Sequence, residues 1–144
     1  MGMFGAIDTA GSGMTAERLR MDVISNNIAN VNTTRTAEGG PYRRQLVVFE
    51  PRNGNKSFRQ MLDGYLEPGE GVRAVGITKE NSPFRLVYEP NHPDANKAGY
   101  VEMPNVNIVS EMVDMLTATR AYEANVTAVN AAKSMAMKAL DIGR

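Results

Sequence analysis

The last forty residues constrain this chain more than any other stretch. From Asn105 to Arg144 there is no proline and one glycine, Gly143. Ile108, Met112, Met115, Thr119, Tyr122, Val126, Val129, Ala136 and Leu140 recur at alternating steps of four and three, with one gap at Lys133. That spacing predicts a long helix with a narrow apolar seam, closer to a coiled coil than to the broad face of a globular helix. A seam of that length needs a partner along all of it. The other stretch with the pattern is at the opposite end of the chain.

There, Ile7, Ala10, Met14, Met21, Ile24, Ile28 and Val31 lie on a heptad seam broken once by Glu17. The spacing predicts a helix over residues 6–31, roughly 39 Å long. Gly11 and Gly13 lie inside it, and each costs about 1 kcal/mol relative to alanine. Ser25-Asn26-Asn27 and Asn30 favour turns over helix. This helix is therefore weak alone and formed mainly by packing.

The middle reads as short extended pieces between turns. A strand is predicted over Tyr42–Glu50, a short helix over Lys56–Asp63, and strands over Val72–Lys79 and Phe84–Glu89 joined by Asn81-Ser82-Pro83. Tyr100–Met103 is extended, and Asn105 or Asn107 caps the long helix. The expected fold class is α+β: N- and C-terminal helices paired as an antiparallel coiled coil, with a small β-rich middle region. The expected organisation is 1–34, 35–104 and 105–144. Aligning the seams with paired positions summing to 150 puts Met14 against Ala136, Met21 against Val129, Ile24 against Val126 and Ile28 against Tyr122. In that register Glu17 meets Lys133, a pair that would choose register rather than supply stability. The alternative is that both charges face solvent.

Composition removes several function classes. Sixteen basic and sixteen acidic side chains cancel, and no basic run points to nucleic acid or an anionic membrane. There is no cysteine, hence no disulfide, thiolate metal site or cysteine nucleophile. The N-terminus has no basic region followed by an apolar core, so it does not read as a signal peptide, and no apolar run is long enough to span a membrane.

The remaining motifs are weak. Gly69-Glu70-Gly71-Val72-Arg73-Ala74 matches a relaxed dinucleotide fingerprint but lacks a strand before it and a helix after it. His92 stands alone in a polar loop. Arg43-Arg44 reads as a solvated face or a contact with a neighbouring subunit, being too short for a phosphate track. Glu111 and Asp114 suit the positive end of the long helix. The triplets at Asn32, Asn55 and Asn125 match a glycosylation sequon that is common by chance. No catalytic constellation, metal site or cofactor site is assembled, and the chain does not read as an enzyme.

One polar cluster is unusual. Ser25, Asn26, Asn27, Asn30 and Asn32 sit on or beside a seam-bearing helix. Asparagine donates and accepts together, so these residues either cap the helix end or form hydrogen bonds at an interface, within the chain or between subunits.

At this cluster the sequence resembles a known family. Met21-Asp22-Val23-Ile24-Ser25-Asn26-Asn27-Ile28-Ala29-Asn30-Val31-Asn32-Thr33-Thr34 looks like the N-terminal motif of the bacterial flagellar rod and hook family. Glu111–Met115 through Arg120-Ala121-Tyr122-Glu123-Ala124-Asn125 resembles its C-terminal helix. Gly40-Pro41-Tyr42-Arg43-Arg44, Asn91-His92-Pro93-Asp94-Ala95-Asn96, Gly99-Tyr100-Val101 and Pro104-Asn105-Val106-Asn107 are similar to the family's proximal-rod members. Thr34-Arg35-Thr36 departs from the Thr-Gly-Phe-Lys ending of distal-rod and hook members.

The resemblance implies a structural subunit. Its paired terminal helices would form the wall of a hollow drive shaft that transmits torque and surrounds an export channel. It implies export by the flagellar type III apparatus without a cleaved signal, and as partners the adaptor FliE, the rod proteins FlgB, FlgF and FlgG, and further copies in a helical assembly. Two other readings compete: a membrane-surface protein anchored by the first helix, and a soluble helical-hairpin adaptor or chaperone. Against the first, Asp8, Glu17 and Asp22 oppose only Arg18 and Arg20, with no aromatic on the seam.

Overall fold

The structure, a computed structural model, describes residues 3–52 and 71–143. The expected helix over 56–63, the turn at 53–55, the triplet at Asn55 and the start of the glycine-rich fingerprint lie outside them.

Two long helices and four short strands make the fold. Helix α1 is Met3–Ala29 and helix α2 is Ile108–Ile142. Between them come β1 (Gln45–Pro51), β2 (Val72–Lys79), β3 (Arg85–Tyr88) and β4 (Tyr100–Met103). The class is α+β. The expected β2–β3 hairpin is not what forms: β2 pairs with β1, and β3 pairs with β4. The β3–β4 ladder is antiparallel, with Arg85 opposite Met103 and Tyr88 opposite Tyr100. The β1–β2 ladder is flanked by Arg52 N–H to Gly71 O (2.8 Å) and Glu80 N–H to Arg44 O (2.8 Å), an antiparallel pattern.

Asn107 caps α2, its Oδ1 accepting from the N–H groups of Val109 (3.0 Å) and Ser110 (3.4 Å). Helix α1 ends where Asn30 turns the chain; its Nδ2 donates to Asn26 O (3.0 Å) and its Oδ1 accepts from the Thr33 hydroxyl (3.1 Å). Gly39 and Gly40, both at positive φ, close the next turn, where Thr36 N–H reaches Gly40 O.

The chain forms two compact units, and both long helices contribute to each. The first gathers Met1–Leu19, Val48–Gly76 and Ala118–Arg144. Among its described residues the buried apolar ones are alanines: Ala10, Ala16, Ala118 and Ala132. Gly13 faces Asn125 so closely that a Cβ on the glycine would lie 2.8 Å from Asn125 Nδ2. The second unit gathers Arg20–Val47 and Ile77–Thr117. Its core is Val23, Ile24, Val101, Pro104 and Val106, together with Asn27 and Glu111.

The helix register differs from the expected one. Gly13 with Asn125 in the first unit and Asn27 with Glu111 in the second each sum to 138, not 150. Glu17 and Lys133 are therefore offset by twelve positions, about 18 Å along the helices, and do not form the expected pair. On α2 the inward face runs through Glu111, Met115, Ala118, Tyr122, Asn125, Val129, Ala132 and Ala136. These steps of four and three have no gap. Three expected seam residues are on the outside instead, Ile108 at 41%, Met112 at 53% and Leu140 at 74% exposure. Of the inward face Ala118 and Ala132 are the fully buried apolar positions, while Met115, Tyr122 and Val129 are half-buried.

Candidate functional site

The polar centre of the second unit is built on Asn27, 1% exposed. Its Nδ2 donates to Glu111 Oε2 (3.0 Å) and Gln45 O (2.9 Å). Its Oδ1 accepts from Gln45 N–H (2.9 Å) and the Tyr42 hydroxyl (3.0 Å). Both amide protons and both oxygen lone pairs are used, the full capacity of the side chain. One residue thus ties α1 to α2, to the start of β1, and to the segment before it.

Glu111 is completely buried. Its second oxygen accepts from Arg44 Nε at 2.5 Å. The same guanidinium reaches Glu80 Oε2 through Nη1 and Asp114 Oδ2 through Nη2, both at 3.2 Å. Arg20 approaches Asp114 Oδ1 from α1 at 3.8 Å. Asn105 accepts from the Arg44 N–H (2.8 Å) and donates to Ser82 Oγ (2.7 Å). Burial alone would push the Arg44 guanidinium down, yet its hydrogen bonds to Glu111 and Glu80 hold it above its ordinary value. Burial, then the Glu111 charge, pushes the Tyr42 hydroxyl up.

Arg44, Glu111 and Asp114 differ from what was expected of them. Arg44 is not a solvated face but the cation of a part-buried cluster within the chain. Glu111 and Asp114 hold that cation rather than only facing the helix dipole. Asn105 belongs to the same cluster, and of the two expected caps it is Asn107 that serves. Of the asparagine motif, Asn27 is buried and bonded within the chain, while Ser25, Asn26 and Asn32 are exposed. A signal was available for one member only: Asn105 is a polar residue between Pro104 and Val106, both buried.

The other expected seam residues divide. Ile24 is buried; Ala10 is buried; Ile7, Met14, Met21, Ile28, Val31, Met115, Thr119, Tyr122, Val126, Val129 and Ala136 are half-buried. Outward on α2 stands a second stripe, Val109, Met112, Val113 and Leu116, between 53% and 71% exposed. Its spacing of three, one and three is one apolar helix face.

The arrangement offers little to a reacting substrate. An open groove lined by Glu38, Lys79, Arg43 and Phe84 has its polar walls engaged: Lys79 pairs with Glu38 at 2.6 Å and Arg43 stacks on Phe84 at 4.3 Å. Among the described residues no cluster of histidine and carboxylate side chains is placed to hold a metal ion. No described helix is long and apolar enough to cross a membrane.

Comparison with known proteins covers both helices and the middle. Residues 7–35 match the family described as "Flagella basal body rod protein", and residues 97–142 match "Flagellar basal body rod FlgEFG protein C-terminal". The chain is 54% identical over 149 positions to the flagellar basal-body rod protein FlgC of Borreliella burgdorferi, covering 99% of this chain and 98% of that one. It is 46% identical over 152 positions to FlgC of Bacillus subtilis, covering all of both. With FlgC of Escherichia coli O6:H1 it shares 37% over 147 positions, again across both full lengths.

Proposed function

The chain belongs to the FlgC family of flagellar basal-body rod proteins and is a structural subunit of that rod, and we propose that it occupies the proximal segment. There it stacks with FlgB, FlgF and FlgG and with the adaptor FliE, as part of a hollow shaft that transmits torque and surrounds the export channel. It reaches that place through the flagellar type III apparatus, without a cleaved signal and without catalysis of its own. The terminal segments 1–34 and 105–144 form the helical layer, and 35–104 the outer, β-rich one.

One observation carries this reading. Full-length identity of 54% to a FlgC protein falls on a chain whose longest helix leaves an apolar stripe uncovered. Apolar faces of that kind on a subunit are covered by neighbours in an assembly. Repeated head-to-tail contacts that do not close into a ring build a helical stack. Zero formal net charge spares stacked copies a mutual repulsion.

The test is an internal tag in the loop between Asn91 and Gly99, away from both helices, followed by isolation of basal bodies. Retention of the tagged chain with the inner-membrane ring is expected. A tagged chain that supports motility yet stays in the cytoplasm would reject the proposal and favour the adaptor.

A further inference from the structure

We propose that the groove beside the Gly39–Gly40 turn is a peptide-binding site, in which Arg43 holds a carboxylate of an extended segment and Glu102 holds a basic group next to it. The site is independent of the rod reading above. All the residues that line the groove belong to the second unit. Its volume of about 490 Å³ falls within the roughly 300–1,000 Å³ of ligand sites.

Arg43 supplies the first reason, by contrast with its neighbour in sequence. Arg44 is met by three carboxylates. Arg43 is half-buried and meets none among the described residues. One N–H on its Nη1 donates to Glu80 O at 3.4 Å, a long bond. A guanidinium has five such donors, and the other four find no acceptor among the described residues. The group is nevertheless fixed, its central carbon 4.3 Å from the centroid of the Phe84 ring. Stacking occupies one face of the guanidinium and leaves its edge, where the N–H groups point. A cation that is held still, part-desolvated and without a counter-charge is arranged for an anion from outside. Its planar fork fits a carboxylate through two parallel hydrogen bonds.

The surroundings are set in advance. Tyr42 and Gln45 line the groove, and Asn27 holds both. Glu38 and Lys79 face each other across 2.6 Å, so neither competes for the carboxylate or for Arg43. An incoming group therefore costs little in ordering the site.

Glu102 decides what accompanies the carboxylate. It is exposed, lines the same groove, and forms no ion pair among the described residues. The groove thus carries one unmatched charge of each sign. A bare anion drawn to Arg43 is opposed by Glu102. A segment with a glutamate or aspartate followed closely by a lysine or arginine satisfies both.

The test is an amide-shift NMR titration of the full-length chain with the peptide Gly-Gly-Glu-Gly-Lys-Gly-Gly, blocked at both ends. Saturable shifts centred on residues 36–45, 79, 84 and 102 are expected. Replacing the probe's glutamate by glutamine should weaken binding about tenfold, and replacing its lysine by glutamine about threefold. Arg43→Gln should weaken the parent probe about tenfold and leave the glutamine-for-glutamate probe unchanged, the mark of a direct pair. Equal binding of the parent and glutamine-for-glutamate probes by the wild-type chain would overturn the proposal, and that comparison decides even where the Arg43→Gln chain fails to fold. So would shifts centred on either long helix, the absence of saturation by about 5 mM probe, or acetate competing as well as the peptide.

Discussion

At the scale of the residue, Asn27 decides most. Asn27→Ala would leave Tyr42 OH, both Gln45 backbone groups and one Glu111 oxygen without the partner they now share. The expected loss is about 2–4 kcal/mol, read as a shift in urea midpoint without a change in slope. Arg44→Met would strand a fully buried Glu111 carboxylate and should cost about 3–5 kcal/mol, most of it recovered when Glu111→Leu is added. The Tyr42 hydroxyl makes a prediction about pH. Its folded-state pKa is raised above 10.0, by burial first and then by Glu111. A raised pKa means the folded chain holds that proton more tightly than the unfolded one. The contribution is therefore complete below pH 10.0 and is lost as pH rises through the folded value. Alkaline melting curves should show this loss, and Tyr42→Phe should flatten it while lowering stability at neutral pH. The sequence pointed to the asparagine cluster but not to which member is buried, because that depends on where residues 44, 80 and 111 meet in space.

At the scale of the element, both helices were legible and their contact face was not. The apolar period marks a helix and counts large side chains; the contact selects small ones. Ala16, Ala118 and Ala132 are buried while Met112 and Leu140 are turned out, a rotation of one position that volume alone does not reveal. The short strands were legible from their β-branched and aromatic content. Their pairing was not, because it depends on how the chain returns through segments with no periodic signal. The two helical glycines now separate. Nothing lies within 4 Å of a Cβ at Gly11, whereas one at Gly13 would press on Asn125. Gly11→Ala should stabilise by about 1 kcal/mol. Gly13→Leu, which must displace Asn125, should destabilise by about 1–3 kcal/mol. Thermal unfolding of the two variants side by side checks both.

At the scale of the whole molecule, the subunit keeps much of its apolar surface for others. Among the described residues of the first unit the buried apolar side chains are alanines, while Leu140 and Ile142 at the end of α2 are exposed. The purified chain should sediment as a monomer at micromolar concentration, since the four-residue stripe of Val109, Met112, Val113 and Leu116 is small beside the ~800 Å² per partner of a stable dimer. The Asn27 junction of the second unit also has a mechanical consequence. From α1, Asn27 is bonded both to α2 and to the start of β1, so a pull on any one of the three is shared by the other two. Those bonds give way together rather than one after another, as a knot holds where a zip fastener would run.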